Sequence, residues 1–425
     1  FKRICNEYLP LVFSRRHGDP SRPWNRFKIQ TEDSQGNPIV GFQGNWRDIF
    51  QNWEALAWSF PHYNEAFIYK FLNASTADGY NPYRITDNGI EWEEPDPNDP
   101  WASIGYWGDH QIIYLLKLLE FTESLKSQSL NQLLNEDHFV FADVPYEIKD
   151  FNFLKVDPNH SIYFNEVRNE AISKRTQAIG ADGKLVHDDQ SQIVRANLFE
   201  KLLIPFVVKL SNYVPNGGIW MNTQRPEWND ANNALAGFGL SMVTTYYMYR
   251  YLEFFESLVE QVEGDSLQCF ASLKSLLESL ASVFAREPES LNQDGHLRYQ
   301  AVEALGRAGE KYREHIYSAD FGQKTAIPVA ELKEFLANVR QHLKGAIEAN
   351  LREDGLYHAY NILHLDPKGK IASIEYLGPM LEGQVAVLSS KAIAAPEAVS
   401  LLEALRNSPL YCEQRKSYIL YADKR

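Results

Sequence analysis

The chain has no long apolar run and few cysteines. No window of about 18 uninterrupted apolar residues occurs in its 425 residues, so the sequence predicts no membrane-spanning helix. The three cysteines, Cys5, Cys269 and Cys412, are far apart and lack metal-ligand spacing. Their odd number favours a reducing compartment, and we therefore expect a cytoplasmic protein.

The chain also has fewer basic than acidic side chains. Lys and Arg total 42 against 56 Asp and Glu, which gives a formal net charge of −14. Binding to nucleic acid or to an anionic membrane draws on clustered Lys and Arg, so the composition argues against both partners. A neutral ligand fits this charge better. The sequence also shows no Ser-His-Asp order, phosphate-binding glycine loop or Cys-x-x-Cys pair, and we expect no metal or organic cofactor.

Aromatic residues, in contrast, are abundant. All nine tryptophans fall within the first 228 residues. Packing in a core is the commoner use of an indole ring. The tryptophans here have Gly, Asn, Asp and Arg as repeated neighbours, and we interpret them as the lining of a cleft.

The dominant pattern along the chain is helical. Apolar residues recur at spacings of three and four, for example from Trp46 to Phe60 and from Leu332 to Ile347, whereas strand alternation is scarce. About ten or eleven helices follow, and we predict an all-α fold, a closed toroid of helical hairpins with long loops at one face. One long helix is expected from Ala231 to Glu260, in which Gly237 and Gly239 imply close packing against a neighbour or a substrate.

The chain is expected to divide into three segments. Residues 1–44 are predicted to form an N-terminal arm or linker, residues 45–408 a catalytic barrel, and residues 409–425 the start of a C-terminal extension. The helical signal weakens over 126–191, where we expect an insertion that includes small strands. Because the chain starts at Phe1, within what reads as a continuing segment, we expect further domains in a longer protein.

One stretch combines an aromatic ring, a carboxylate and amides: Glu227-Trp228-Asn229-Asp230-Ala231-Asn232-Asn233-Ala234-Leu235. The preceding proline and the Asn/Asp cluster place Trp228 and Asp230 at the mouth of a helix, where unpaired backbone N–H groups can hold a carboxylate. A simple N-cap role for Asn229 or Asp230 is the alternative. Aromatic face, acid and amides are the groups that a sugar-binding site needs.

Two stretches together resemble a known enzyme family. They are Gly44-Asn45-Trp46-Arg47-Asp48-Ile49-Phe50-Gln51-Asn52 and the Trp-Asn-Asp stretch at 228–230. The pair, in this order, resembles the glycoside phosphorylases typified by cellobiose and chitobiose phosphorylase. The resemblance implies an (α/α)6 barrel, with Asp230 as general acid and with Arg47, Asp48 and Trp228 holding the sugar whose bond breaks. It also implies a phosphate contact for His358, in the stretch Asp354-Gly355-Leu356-Tyr357-His358.

Two features of the family are missing from the sequence. The threonine-glycine-serine phosphate loop is replaced by Tyr376-Leu377-Gly378-Pro379-Met380-Leu381-Glu382-Gly383-Gln384, and the N-terminal β-sandwich is absent. Both departures put phosphorolysis in doubt more than glycoside chemistry. An inverting hydrolase needs a second carboxylate as base, and Glu382 or Glu375 could supply it. The alternative for Glu382 is a charge that only complements a helix N-terminus.

Other residues and other functions compete with this interpretation. Asp109, after Trp107, is the rival acid, with an N-cap role as its alternative. His110, His358 and His364 could instead serve a sugar epimerase, where histidines move protons. A non-catalytic glycan-binding domain would need only the tryptophans.

From these patterns we predict an enzyme that cleaves a glycosidic bond with inversion. The expected substrate is a disaccharide or oligosaccharide, such as a β-glucoside or a short β-glucan, with water or inorganic phosphate as co-substrate. Asp230 and Glu382 are the predicted catalytic pair. The predicted binding residues are Arg47, Asp48, Trp107, Asp109, Trp228, Asn229 and, for phosphate, His358. Assembly as a homodimer is left open.

Overall fold

A computed structural model describes residues 5–9, 13–14, 32–37, 42–82, 84–86, 89–92, 94–95, 98, 106–107, 111–222, 235 and 237–422. For residues 13–14, 42–45, 47–48, 106–107 and 111 it describes the backbone only. The all-α prediction is wrong, because the described residues are 53% helical and 18% strand and include a curled, five-stranded antiparallel sheet that forms half a barrel. This sheet excludes the (α/α)6 toroid.

The described residues contain twelve α-helices. They are α1 (Trp46–Ser59), α2 (Asn64–Asn73), α3 (Gln111–Leu125), α4 (Phe151–Val156), α5 (Glu166–Ile179), α6 (Leu198–Leu210), α7 (Met242–Glu260), α8 (Ala271–Phe284), α9 (Gly295–Tyr317), α10 (Val329–Ala349), α11 (Leu381–Ser390) and α12 (Ala395–Arg406).

The strands are mostly short. They are β1 (Phe13–Ser14), β2 (Phe42–Asn45), β3 (Asn81–Pro82), β4 (Arg84–Thr86), β5 (Gly89–Glu91), β6 (Tyr106–Trp107), β7 (Phe139–Val140), β8 (Tyr146–Ile148), β9 (Ile162–Phe164), β10 (Arg195–Ala196), β11 (Tyr213–Val214), β12 (Gly218–Trp220), β13 (Gly239–Ser241), β14 (Ser266–Phe270), β15 (Lys324–Pro328), β16 (Tyr360–Asp366), β17 (Ile371–Tyr376), β18 (Tyr411–Cys412) and β19 (Ser417–Tyr418). Many have only two or three residues, too few for an alternating pattern to stand out in the sequence.

The chain forms two compact units. Unit 1 comprises Phe1–Glu147, Tyr163–Pro205 and Ile316–Asp320. Unit 2 comprises Ile148–Ile162, Phe206–His315 and Phe321–Arg425.

An aromatic cluster forms the core of unit 1. The ring of Trp46 lies 4.4 Å from that of Phe71, and the ring of Trp53 stacks on Phe67 at 5.0 Å. Both indoles are almost fully buried, so the prediction that the tryptophans line a cleft is wrong for these two. They serve the commoner purpose of filling a core, because a large ring buries more apolar surface than any other side chain.

The five-stranded sheet lies in unit 2, with strand order β11-β12-β13-β16-β17. All four neighbouring pairs are antiparallel. Strand β13 occupies the middle of this sheet, where the sequence predicts the beginning of a long helix, and the helix α7 starts only at Met242. Ser241 caps α7, because its hydroxyl accepts a hydrogen bond of 3.0 Å from the backbone N–H of Thr244.

The predicted close packing at Gly237 and Gly239 is confirmed, although neither residue is helical. A Cβ at Gly237 would lie 2.3 Å from Oδ1 of Asn159, and one at Gly239 would lie 2.4 Å from Cε of Met221. Gly237 also has a φ of +82°, which favours glycine.

Helices pack against the rest of unit 2 as their apolar faces predict. Helix α7 contacts both α10 and α11. The predicted inner face of α10 is confirmed, since Leu332, Phe335, Leu336, Val339, Leu343 and Ile347 are all buried.

Along the described segments, none of the helices has the length and apolar character needed to cross a bilayer.

Candidate functional site

A tight turn in unit 2 places His358 at the end of α10. The backbone N–H of Arg352 donates to the carbonyl of Leu356 at 2.8 Å, and that of Gly355 donates to the carbonyl of Arg352 at 3.0 Å. Gly355 has a φ of +78°, which a side chain would disfavour. The backbone N–H of His358 then bonds to the carbonyl of Asn350 at 3.0 Å, so the turn is fixed at both ends.

The first turn of α11 packs directly against this segment. A Cβ at Gly383 would lie 2.9 Å from both N and Cα of Ala359, so only a glycine permits the approach. The fully buried amide of Gln384 accepts from the backbone N–H of Tyr357 at 2.8 Å and donates to the carbonyl of Tyr357 at 2.7 Å. These contacts place Glu382, which precedes Gly383, beside the chain at His358–Ala359.

The imidazole of His358 is held from one side. Its Nδ1 lies 2.9 Å from the carbonyl oxygen of Leu377, and its ring lies 4.9 Å from that of Tyr376. The side chain is mostly buried. Burial lowers the pKa of His358, and the nearby Arg352 guanidinium lowers it further, while the hydrogen bond to Leu377 acts in the opposite direction.

Glu382 lies half-buried in the first turn of α11, near the phenol of Tyr247 on α7. Burial raises the pKa of Tyr247, and the Glu382 carboxylate raises it further, while Arg250 opposes the shift. The position also suits the interpretation of Glu382 as a charge at a helix N-terminus, because four backbone N–H groups at that end lack helical partners.

The remaining predicted site residues are placed only in part. Asp109, Trp228, Asn229 and Asp230 lie outside the described residues, as does His110. Arg47 and Asp48 are in α1 and Trp107 is in β6, but their side chains lie outside the described part. Of the predicted side chains that the structure describes, His358 and Glu382 are brought to neighbouring segments of unit 2.

Glu375, the second candidate base, is in a different environment. It is on β17, more than half exposed, and its carboxylate lies 2.8 Å from Nε2 of His364 on β16. This pair is a surface contact of the β16–β17 hairpin. It therefore provides a matched control for His358 and Glu382, with the same residue types in the same unit.

Sequence reasoning missed the residues that hold the site together. Gln384 and Gly383 directly follow Glu382, and a glycine and an amide in the first turn of a helix are a local signal of close packing. Arg352 is two residues from Asp354, with which it forms an ion pair of 2.8 Å.

Unit 1 contains a buried charged network that the sequence also does not reveal. Asp143 accepts hydrogen bonds from Nε of Arg168 at 2.7 Å and from Nη2 of Arg175 at 2.6 Å. Arg168 also pairs with Glu147 at 3.2 Å. These partners are 21 to 32 positions apart in the chain, so no local motif joins them.

Comparison with known proteins finds neither a family model nor a curated protein that matches the chain. Within the described ranges, no group of three or more His, Cys, Asp or Glu side chains is placed to hold a metal ion.

Proposed function

We propose that the protein is a carbohydrate-active enzyme that cleaves a glycosidic bond with inversion, acting on a β-glucoside or a short β-glucan. Asp230 is the proposed general acid and Glu382 the proposed general base. The observation that carries the proposal is the packing of Gly383 on Ala359, which brings the half-buried residue Glu382 next to the segment that contains His358.

An inverting glycosidase needs two catalytic groups, and Glu382 is proposed as the second of them. One carboxylic acid protonates the leaving oxygen, and a second group activates the nucleophile on the opposite face of the sugar. A base on a helix, fixed by backbone packing and by the amide of Gln384, satisfies the need for a rigid support. The negative charge of the chain also suits a neutral sugar better than an anionic ligand.

The direct test is incubation of the full chain with a panel of β-glucosides and short β-glucans, with and without phosphate. We expect release of glucose or of glucose 1-phosphate, with the α-anomer formed first when followed by NMR. Absence of cleavage of every substrate in both conditions contradicts the proposal. Epimerised sugar would identify an epimerase instead, and binding without turnover would identify a glycan-binding domain.

Substitution of Glu382 tests its role. Glu382→Gln keeps the size of the side chain but removes the base, and we expect kcat to fall by about 10²–10⁴ with little change in sugar binding. The matched control is Glu375→Gln, which removes a surface carboxylate of the same unit and should leave kcat unchanged. Equal rates for the two variants would mean that the base is elsewhere.

A further inference from the structure

The side chain of Arg313 on α9 is buried and has no protein partner. Only 7% of the residue is exposed. Its guanidinium makes no hydrogen bond or ion pair with any residue that the structure describes, and its Nη2 atom is fully enclosed. An arginine side chain is always charged in a protein, and a buried charge is strongly unfavourable unless it is paired. The position of Arg313 therefore favours a bound anion.

The helix that carries Arg313 supplies no carboxylate to it. Ion pairs on a helix surface form at spacings of three and four residues. Four residues before Arg313 the chain has Gly309, three residues before it Glu310, and neither of the matching positions after it is acidic. The Glu310 carboxylate is engaged elsewhere, because Oε1 accepts from the backbone N–H of Phe151 at 3.0 Å and Oε2 accepts from Nη1 of Arg307 at 3.4 Å.

Position 309 cannot hold an acidic side chain in this packing. A Cβ at Gly309 would lie 2.7 Å from Oγ of Ser211, closer than Cβ atoms ordinarily come to another atom. The same Cβ would lie 3.3 Å from Nη1 of Arg313, so the guanidinium folds back over the glycine, toward the start of α9. The close approach of Ser211, which directly follows α6, therefore excludes the usual partner for an arginine four residues further on.

The end of α6 offsets the charge of Arg313 only in part. The last carbonyls of a helix carry about half a negative charge in total. The carbonyl of Val208 accepts from the hydroxyl of Ser211 at 2.6 Å, and that of Lys209 accepts from the backbone N–H of Asn212 at 3.0 Å. These carbonyls already have donors, and neither bonds to the guanidinium. Part of its positive charge therefore stays unbalanced.

We propose that Arg313 binds the carboxylate of a small molecule, which supplies the missing negative charge. Hydrogen bonds between a guanidinium and a carboxylate are charge-assisted and about twice as strong as neutral ones. One guanidinium matches the single charge of a carboxylate, whereas a phosphate monoester carries about 1.5–2 charges at pH 7. The carboxylate contacts Nε or Nη1, because Nη2 is the enclosed nitrogen. The site lies in unit 2 and does not depend on the proposed cleavage of a glycosidic bond.

NMR of the full chain with isotope-labelled arginine tests the binding directly. Sodium acetate is titrated in at pH 7 and constant ionic strength, with sodium chloride as the balancing salt. We expect one guanidinium Nε signal to shift and to saturate, and that signal should be missing from the spectrum of Arg313→Met. Absence of a saturable shift in the wild-type chain overturns the proposal without the use of any variant. A saturable shift with phosphate but not with acetate overturns the assignment of a carboxylate.

Urea denaturation with a matched control tests the role of the charge. Arg313→Met keeps an apolar stem but removes the charge, and Arg307→Met removes an exposed arginine that pairs with Glu303 and Glu310. Acetate at ten times its Kd should raise the folding equilibrium constant about 11-fold in the wild-type chain and in Arg307→Met. Arg313→Met should not show this rise, and an equal rise in all three chains overturns the proposal.

The same variants in chloride alone test whether Arg313 lacks a partner within the protein. Removal of an uncompensated buried charge breaks no pair, so Arg313→Met should be at least as stable as the wild-type chain. A urea midpoint that falls further for Arg313→Met than for Arg307→Met would mean that the guanidinium is paired inside the protein, which also overturns the proposal.

Discussion

Replacement of Gly383 by alanine tests whether the close approach of α11 and Ala359 holds the candidate site. The added Cβ would lie 2.9 Å from both N and Cα of Ala359, which is 0.5 Å short of the 3.4 Å at which ordinary contact begins. Both contacted atoms belong to the backbone, so no side chain can rotate away. One of the two segments must move, and the distance between Glu382 and His358 must change with it.

The expected change in the unfolding free energy of Gly383→Ala is the sum of two opposing effects. Overpacking of this kind costs about 1–3 kcal/mol. Alanine in place of glycine within a helix contributes about 0.5–1 kcal/mol in the opposite direction. The net loss of unfolding free energy for Gly383→Ala is therefore about 0–2.5 kcal/mol.

Gly345 in α10 provides the matched control. A Cβ there would meet only Cβ of Pro288, at 3.9 Å, which is ordinary contact. Gly345→Ala should therefore gain the helical contribution alone, about 0.5–1 kcal/mol. Both glycines belong to unit 2, so the same unfolding transition reports on both.

The assay is urea denaturation of the wild-type chain and the two variants, followed by circular dichroism. The midpoint should rise for Gly345→Ala and stay equal or fall for Gly383→Ala, with a difference in unfolding free energy of about 1–3 kcal/mol. If both variants gain stability to the same extent, α11 does not press on Ala359 and the basis of the candidate site is lost.

Two further predictions concern buried charge. Burial lowers the pKa of His342, so the unfolded chain binds its proton more tightly. The free energy of unfolding should therefore decrease as the pH falls below 6.5, by at most about 1.4 kcal/mol per pH unit. In urea titrations over the same pH range, the decrease should be smaller for His342→Gln than for the wild-type chain. In unit 1, Asp143→Asn removes the shared partner of Arg168 and Arg175 and should cost about 1–3 kcal/mol in unfolding free energy. The exposed carboxylate of Glu170 is the control, where Glu170→Gln should change stability by less than about 0.5 kcal/mol. If the stability of His342→Gln depends on pH as strongly as that of the wild-type chain, His342 is not the source of the pH dependence. If Asp143→Asn and Glu170→Gln lose the same unfolding free energy, the ion pairs of Asp143 do not stabilise unit 1.

The sequence by itself determined the helices whose apolar faces are long. The inner face of α10 could be predicted because a spacing of three and four over about four turns is a local property of the chain, independent of what the helix packs against. The close packing at Gly237 and Gly239 was predicted from glycines within a helix, and the packing is present although Gly237 lies in a turn and Gly239 in a strand.

Only the tertiary structure decided the sheet and the composition of the candidate site. Strand β13 has only three residues, which is too short to leave a periodic pattern in the sequence. It pairs with β16, and Gly239 of β13 lies opposite Ile362 of β16. Because these partners are 123 positions apart, no local pattern in the sequence indicates the pairing. The approach of Gly383 to Ala359 and the sharing of Asp143 by two arginines likewise depend on contacts between distant segments. Local periodicity reports which face of a helix is buried, whereas the partner of that face is set by the packing of the whole chain.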